Sequence, residues 1–446
     1  MRRLRTLALM GLVTTPALAT PVFHPSGASL TYGDGASITQ NIFSNVQNPA
    51  SGASIFAVDN ARGEFRMGVL SSVGLDIELG DVNGLKTSMD KISTDLNSAQ
   101  GSASLATLQT AINGANSFLK QAGALPYIVQ FGLGGHLPVF PLVIARKNWG
   151  GSFVLDANFA VQSKVSLLDR PFDIVTTIDP VTGNPSYAPK NNSGIYLKAA
   201  NVNEISLGHS RPVMELPVVG NLYAGGRLNY YMAGMRKTVV SATQANNFST
   251  LMQDEANKGM EFQQGFGLDI GALVVNERYQ FGATFNNVNS PSFKYAPIGQ
   301  NCAALVPGPA QDNCYSAASY ADKIDLNEKH VMNAQMRVDG AVYSSNKNWV
   351  FAAGADVNPV NDFLGNPAQR AGISAGYASR SWIIPGIRLG LHTNMVGTRL
   401  SYAALGLSFF KLLHIDAAVG LDQIKVDATQ SIPRKLALNI GLDFNF

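Results

Sequence analysis

Nowhere in this chain is there an unbroken run of about twenty apolar residues, the length an α-helix needs to cross the hydrocarbon layer of a membrane. Leu125 to Ala145 comes nearest, but Pro126, Pro138 and Pro141 with Gly132, Gly134 and Gly135 break it as a helix. Charge is scarce as well: Asp, Glu, Lys and Arg make up 14% of 446 residues. The formal charge of +3 gives no nucleic-acid signal, because residues 1 to 19 hold three arginines and no acid and the rest balances at 30 basic against 30 acidic side chains. The six histidines, His24, His136, His209, His330, His392 and His414, never pair at i, i+3 or i, i+4, and no carboxylate cluster has metal-loop spacing. No glycine motif for phosphate precedes a helix. Gly372-Ile373-Ser374-Ala375-Gly376 matches the nucleophile-elbow pattern, but it lies inside an alternating strand rather than at a strand-to-helix turn. No catalytic residue, metal or cofactor is expected.

Cysteine is reduced to two residues, Cys302 and Cys314, twelve positions apart in a loop of about 290 to 325 rich in Pro, Gly and Asn. In an oxidising compartment they are expected to close that loop as a disulfide; two free thiols or half a metal site are the alternatives, and neither has a His pattern nearby. The compartment is set by the amino end. Arg2, Arg3 and Arg5, an apolar core from Leu7 to Val13, and Ala17-Leu18-Ala19 read as a signal peptide cleaved after Ala19.

What the chain does have is alternation. Its last eleven residues place Leu436, Leu438, Ile440, Leu442, Phe444 and Phe446 on one face of a strand, and Ala437, Asn439, Gly441, Asp443 and Asn445 on the other. Such a strand suits lipid on one side and water or protein on the other; an amphipathic last strand of a soluble sheet is the competing reading of this stretch alone. Thirteen earlier segments alternate in the same way, beginning with 62–79 and including 127–136, 149–162, 195–208, 222–240 and a 262–275/278–288 hairpin around Asn276-Glu277. The near-neutral mean hydropathy of +0.06 and the 43 glycines fit, since alternation dilutes hydropathy. The predicted fold class is therefore all-β, a transmembrane antiparallel barrel of about fourteen strands over residues 61–446.

Two segments differ in texture. Residues 20–60 are rich in Ser, Gly, Asn and Ala without sustained alternation, as expected of a compact plug. Between about 83 and 123, Leu85, Met89, Ile92 and Leu96, then Leu105, Leu108, Ile112, Ala115 and Leu119, recur every three or four residues, predicting two short amphipathic helices split near Gly101. With the apolar sets facing lipid, the lumen receives Asp156, Arg227, Asp269, Asp356, Arg388, His392, Asp416, Asp422 and Asp443. A charge on the lipid face would cost roughly 2 to 4 kcal/mol at the midplane, so these residues point inward, into a lumen that is wet or filled by a polar plug.

Tyr32-Gly33-Asp34-Gly35-Ala36 followed by Asn48-Pro49-Ala50 resembles the amino-terminal hatch of FadL/PorV-like outer-membrane barrels, and the run from Gly376 to Asp422 is similar to their carboxy-terminal hairpins. The stretch from Gly265 through Asn286-Asn287-Val288-Asn289 to the cysteine loop looks most like the conjugal-transfer TraF-like branch. Asn-Pro-Ala occurs again at Asn366-Pro367-Ala368. The resemblance implies a bacterial outer-membrane barrel with a hatch around Asn48, Pro49 and Ala50, and passive passage of a hydrophobic or amphipathic molecule; a structural role in conjugation or secretion with a plugged barrel is the alternative. It also implies that Phe444 and Phe446 form a closing-strand signal for the barrel-assembly machinery. The partners expected are outer-membrane lipid, that machinery, a hydrophobic small molecule and conjugation or secretion proteins.

Overall fold

The computed structural model describes residues 29–33, 42, 44–58, 64–82, 84–100, 105–241, 259–378, 381–426 and 429–445. The expected signal peptide and Phe446 lie outside these residues. Among them no helix is long and apolar enough to cross a membrane.

The chain winds antiparallel through β1 (Glu64–Leu79), β2 (Val129–His136), β3 (Leu142–Arg146), β4 (Gly151–Leu168), β5 (Gly194–Leu216), β6 (Gly220–Ser241), β7 (Phe262–Val275) and β8 (Tyr279–Asn286). It continues through β9 (Gln335–Tyr343), β10 (Trp349–Asp356), β11 (Arg370–Tyr377), β12 (Gly386–Asn394), β13 (Ser401–Phe409), β14 (Leu413–Gly420) and β15 (Lys435–Asn445). Each strand pairs with its sequence neighbour, and β15 returns to β1, where Leu75 stands opposite Leu438. β2 and β3 both pair with β1 on one side and β4 on the other. They are two halves of one stave, so fifteen segments make a closed barrel of fourteen staves. The alternating segments 127–136 and 149–162 leave 137–148, with Pro138 and Pro141, to be expected as a connection between strands; the structure instead resumes the same stave at Leu142 after a break at Leu137–Pro141. Its physical cause is proline, which has no amide hydrogen for the ladder at 138 and 141.

Alternation becomes two surfaces. On β15 Leu436, Leu438 and Ile440 are exposed while Ala437 and Asn439 are buried, and Ile205, Leu228, Phe266, Phe351, Ile373 and Leu389 are likewise about half exposed on their strands. A continuous apolar exterior of this kind is a surface for lipid. All three tryptophans stand, about half exposed, at the rim that carries the short turns: Trp149 before β4, Trp349 opening β10 and Trp382 between β11 and β12. Their amphipathic rings mark that rim as a membrane interface.

The opposite, far rim carries the long connections. They hold helices α4 (Leu85–Gln100) and α5 (Leu105–Gly123), a hairpin of Asp173–Ile178 with Pro185–Lys190, and the segment 287–334 with α6 (Pro309–Ser319). Leu108, Ala111 and Ile112 of α5 pack against Leu96 of α4, Phe172 just before the hairpin, and Ile174 and Tyr187 within it. Cys302 and Cys314 form a disulfide. Ahead of the barrel, α1 (Ser29–Tyr32), α2 (Ser44–Gln47) and α3 (Ser51–Val58) lie inside it, so the described part of the amino-terminal segment is short helices.

Ile373, midway along β11, is a test of the lipid-facing assignment. Ile373→Lys is expected to lower folding stability by about 2–4 kcal/mol in urea titrations in lipid vesicles. Ser374→Ala, one residue on and facing inward with a hydroxyl that has no partner among the described residues, should change it by less than about 1 kcal/mol.

Candidate functional site: a lumen with a floor and a roof

The floor is fastened by Asn48. Its Nδ2 donates to the carbonyls of Ala272 and Ala283 at 3.1 and 3.3 Å, on adjacent strands β7 and β8. Its Oδ1 accepts from the Ala50 amide at 2.9 Å, and its carbonyl accepts from the Ser51 amide and hydroxyl. An asparagine amide offers two donors and an acceptor at one centre, and here it both starts α3 and ties it to the wall. The Ala53 amide donates to Ser210 Oγ at 2.8 Å, and Ser210 lies 2.9 Å from Ser152. The wall is carved to fit: a side chain at Gly225 would strike the Pro49 carbonyl, and one at Gly271 the Asn48 amide oxygen.

The other end of the floor docks across the lumen, on β11 to β14. Thr31 offers its carbonyl to His392 Nε2 at 2.9 Å and its hydroxyl to Arg388 Nε at 3.3 Å. Arg388 in turn donates to Asp416 Oδ1 at 2.7 Å. Gly390 and Gly376 leave room for the Thr31 carbonyl and the Tyr32 hydroxyl. The amino-terminal segment thus spans the lumen between nearly opposite walls.

Buried charges around it are paired, as burial requires. Arg227 reaches Asp269 at 2.6 Å, Arg337 reaches Asp356 at 2.8 Å, His136 lies 2.8 Å from Asp156 and Lys435 lies 2.5 Å from Asp76. Above α1 a cavity of about 110 Å³ remains, lined by Asp76, Gln162, Arg337, Arg370, His392 and Lys435 among others. Asp76 Oδ1 and Gln162 Oε1 find no partner there among the described residues. The space suits several waters, each of which needs on the order of 10–15 Å³ by this measure and a few polar partners.

The roof consists of far-rim segments folded inward. From 287–334 come Phe293, Tyr295 and Met332, and from 357–369 come Phe363 and Leu364; they pack on Ala160, Ala200, Val202, Tyr231, Ala233 and Met235 of β4, β5 and β6. His330 packs against Phe363 with ring centres 4.6 Å apart and planes tilted by 33°, and its Nε2 has no partner among the described residues. Burial, with Lys198 nearby, pushes His330 down to about 4, while Glu328 opposes the shift. Asn366 latches this roof to the wall: its amide donates to Gln130 at 2.8 Å and accepts from Lys164 at 2.7 Å.

Asp156, Arg227, Asp269, Asp356, Arg388, His392 and Asp416 are buried on the luminal face, and Arg388, His392 and Asp416 meet at one end of the floor while Asn48, Pro49 and Ala50 form its other end. Asp422 differs from the reading above: it is exposed on the far-rim connection after β14, because that strand ends at Gly420. The backbones of Asp443 and Phe444 pair with Gly68 and Met67, and their side chains lie outside the described residues. Three functional candidates escaped the sequence reading: Asn366, Glu328 and the inward lysines of β4 to β6. The repeated Asn-Pro-Ala was a signal for the first; the others depend on register between distant strands.

The sequence matches the model of the family described as "F plasmid transfer operon, TraF, protein" over residues 45–356. No curated protein matches it. Among solved structures it is similar to the TodX deltaS2S3 mutant monoaromatic hydrocarbon channel, at 13% identity and a TM-score of 0.43, over 95% of this chain and 99% of that one. It is also similar to a Pseudomonas aeruginosa FadL homologue, at 12% identity and a TM-score of 0.39, over 96% and 99%. The P. putida toluene transporter TodX aligns at 13% identity and a TM-score of 0.36, over 90% and 92%.

Two outcomes test this site. Asn48→Leu removes both donors to the wall and is expected to weaken docking of 48–58 by about 2–4 kcal/mol, read as faster amide exchange there with the barrel strands unchanged. His330 is neutral when buried and protonates near 6.5 when released, so its contribution is full above about pH 6.5 and is lost as pH falls toward about 4. Amide exchange over 290–300 and 326–332 should therefore accelerate across that window, and His330→Leu should flatten the response.

Proposed function

We propose that this chain, which belongs to the F plasmid transfer operon TraF protein family, is an outer-membrane barrel that passes a hydrophobic or amphipathic molecule, with the floor as its gate. The observation that carries the reading is the position of the floor behind the one broken stave. Ile42 is packed on Val143 of β3 and Val154 of β4, just inside the break at Leu137–Pro141. Leu137 and Val139 turn outward there, and Val139 is held at φ 79°, a conformation a β-branched residue adopts only under strain. Three backbone hydrogen bonds close the gap, from Leu137 to Ala157, Val139 to Val69 and Gly68 to Pro141. A molecule entering from the far rim, which by its long connections faces outward, would leave sideways into lipid once the floor moves. A small plug with alternative packings inside a rigid wall is a two-state element that a ligand can bias.

Residues 1–19 direct export and are cleaved, and Phe444 with Phe446 presents the closing strand to the assembly machinery. The chain acts without enzymatic chemistry in this reading. Family membership, together with an amino-terminal segment that spans the lumen from Asn48 on β7 and β8 to Thr31 on Arg388 and His392, favours a second reading: a closed barrel that serves assembly of a conjugation or secretion apparatus, docking through α4, α5 and the disulfide-closed loop. A stoichiometric partner on purification from native membranes would favour it.

Gly52 faces Ser152 closely enough that Gly52→Cys with Ser152→Cys is expected to crosslink floor to wall. In cells whose lipopolysaccharide leaflet excludes phenylnaphthylamine, the wild type should speed dye entry, the oxidised pair should abolish that gain, and reductant should restore it without altering the wild type. Entry at the wild-type rate through the crosslinked barrel would end the gating proposal.

A further inference from the structure

A barrel wall is convex toward lipid, yet across β8 to β13 the outer surface is hollowed into an apolar groove of about 1100 Å³. That is the size of a large ligand pocket, which ordinarily runs to about 1,000 Å³. Its bed consists of outward positions with almost no side chain: Gly340 on β9, Ala353 and Ala355 on β10, and Ala375 on β11. Register gathers them, since Gly340 stands opposite Ala353 and Phe351 stands opposite Ala375. Phe281 of β8 forms one bank, and Ile373, Leu389 and Leu391 form the other, all about half exposed. Phe281, Gly340, Ala353 and Ile373 lie in one cross-strand row, so the banks are three strand spacings, or roughly 14 Å, apart. An empty hollow forfeits dispersion contacts along its bed. Within the hydrocarbon layer lipid chains are at hand to fill it, whereas a second barrel of fourteen staves is too broad to reach the bed.

Toward the near rim the groove ends in an aromatic and basic margin. Trp349 stacks on Phe351 with ring centres 6.4 Å apart and packs on Tyr377 at 5.1 Å, while Tyr279 packs on Phe281 at 5.4 Å. Amphipathic rings at this height mark the level of lipid headgroups. Two neighbouring turns each add a cation there: Arg278 between β7 and β8, and Lys347 between β9 and β10, both exposed. The turns adjoin, because the Arg278 carbonyl accepts from the Tyr343 amide and the second turn begins at Ser344. The Arg278 guanidinium has no partner among the described residues, and Glu277 is the one carboxylate in the two turns, 276–278 and 344–348. With the far rim facing outward, this margin lies in the leaflet opposite the lipopolysaccharide, where the lipids carry a phosphate at this level.

We infer that the groove and its basic margin form a site for one anionic phospholipid of the near-rim leaflet, with its chains on Gly340, Ala353, Ala355 and Ala375 and its phosphate between Arg278 and Lys347. The two parts divide the recognition. The hollow holds a chain of any lipid by contact, and the two cations select the headgroup by charge. The site lies outside the barrel, so it is independent of what the lumen passes. Staves β11 and β12 receive the floor on their inner face at Gly376 and Gly390, so a lipid held outside backs the wall to which α1 is fastened.

Native mass spectrometry of the intact protein, released from dodecyl maltoside with dioleoylphosphatidylglycerol or dioleoylphosphatidylcholine added, tests this. One phosphatidylglycerol per barrel is expected to stay bound, about thirtyfold more tightly than phosphatidylcholine, since each basic side chain at an anionic headgroup contributes a factor of about five. Arg278→Gln with Lys347→Gln should reduce both lipids to the same weak binding. Ala353→Leu with Ala375→Leu, which fills the bed without changing charge, should release the retained phosphatidylglycerol. Equal retention of the two lipids by the wild type, or wild-type retention of phosphatidylglycerol by either variant, would overturn the inference. So would a lipid-free dimer that the leucine variant dissociates, because the groove would then belong to a second copy. The glutamine variant lies on exposed turns, so it decides the matter even where the leucine pair lowers the yield of folded barrel.

Discussion

A backbone that crosses hydrocarbon must satisfy every amide and carbonyl within the protein, because lipid offers no partner. The rest of this structure follows from that constraint. It forces the sheet to close, with β15 returning to β1, and it fixes one face of every strand as apolar. The other face must then hold all the remaining polarity of fourteen staves. In a chain with as little charge as this one, that polarity is concentrated into discrete luminal pairs such as Arg227 with Asp269 and Arg388 with Asp416.

The same constraint makes the break at Leu137–Pro141 informative. Two prolines remove ladder donors, yet the segment keeps three backbone bonds to its neighbours and turns apolar side chains outward. It is a weak point whose surface lipid tolerates. The floor sits behind it through Ile42, and floor and wall are matched by small residues, Gly225 and Gly271 on one side and Gly376 and Gly390 on the other. Each of these glycines is open space filled by a floor backbone or side chain, so the wall is shaped to an occupant and not to a free channel.

How much of this was written locally in the chain follows from physical range. Period-two alternation is a property of neighbouring residues, so the fourteen staves and their inward charges were readable from Asp156 through Asp416. The helices of 85–100 and 105–123 were readable for the same reason at a period of three to four. Asn48-Pro49-Ala50 was readable by resemblance, although its wall partners, Ala272 and Ala283, lie more than 220 residues away. The continuity of β2 with β3 was not readable, because prolines announce a connection whether or not the chain resumes its stave. Nor was the roof. That 287–334 and 357–369 fold inward depends on Phe293 and Phe363 finding Ala200 and Ala233, and nothing within either loop specifies those partners.

Register decides the row of inward lysines on β4 to β6 in the same way. Lys164, Lys198 and Lys237 are separated by 34 and 39 residues, and each taken alone is an ordinary inward cation. Only the ladder places them abreast. Once abreast, like charges repel, and the roof's Glu328 pairs with two of them, Lys198 and Lys237. The floor is held otherwise: by neutral hydrogen bonds around Asn48 at one end, and at the other by the Thr31 carbonyl on His392 and the Thr31 hydroxyl on Arg388, whose charge is paired with Asp416. The two closures therefore respond to different forces. The roof is held by an ion pair on a cationic row, and the floor by hydrogen bonds around Asn48 at one end and Thr31 at the other.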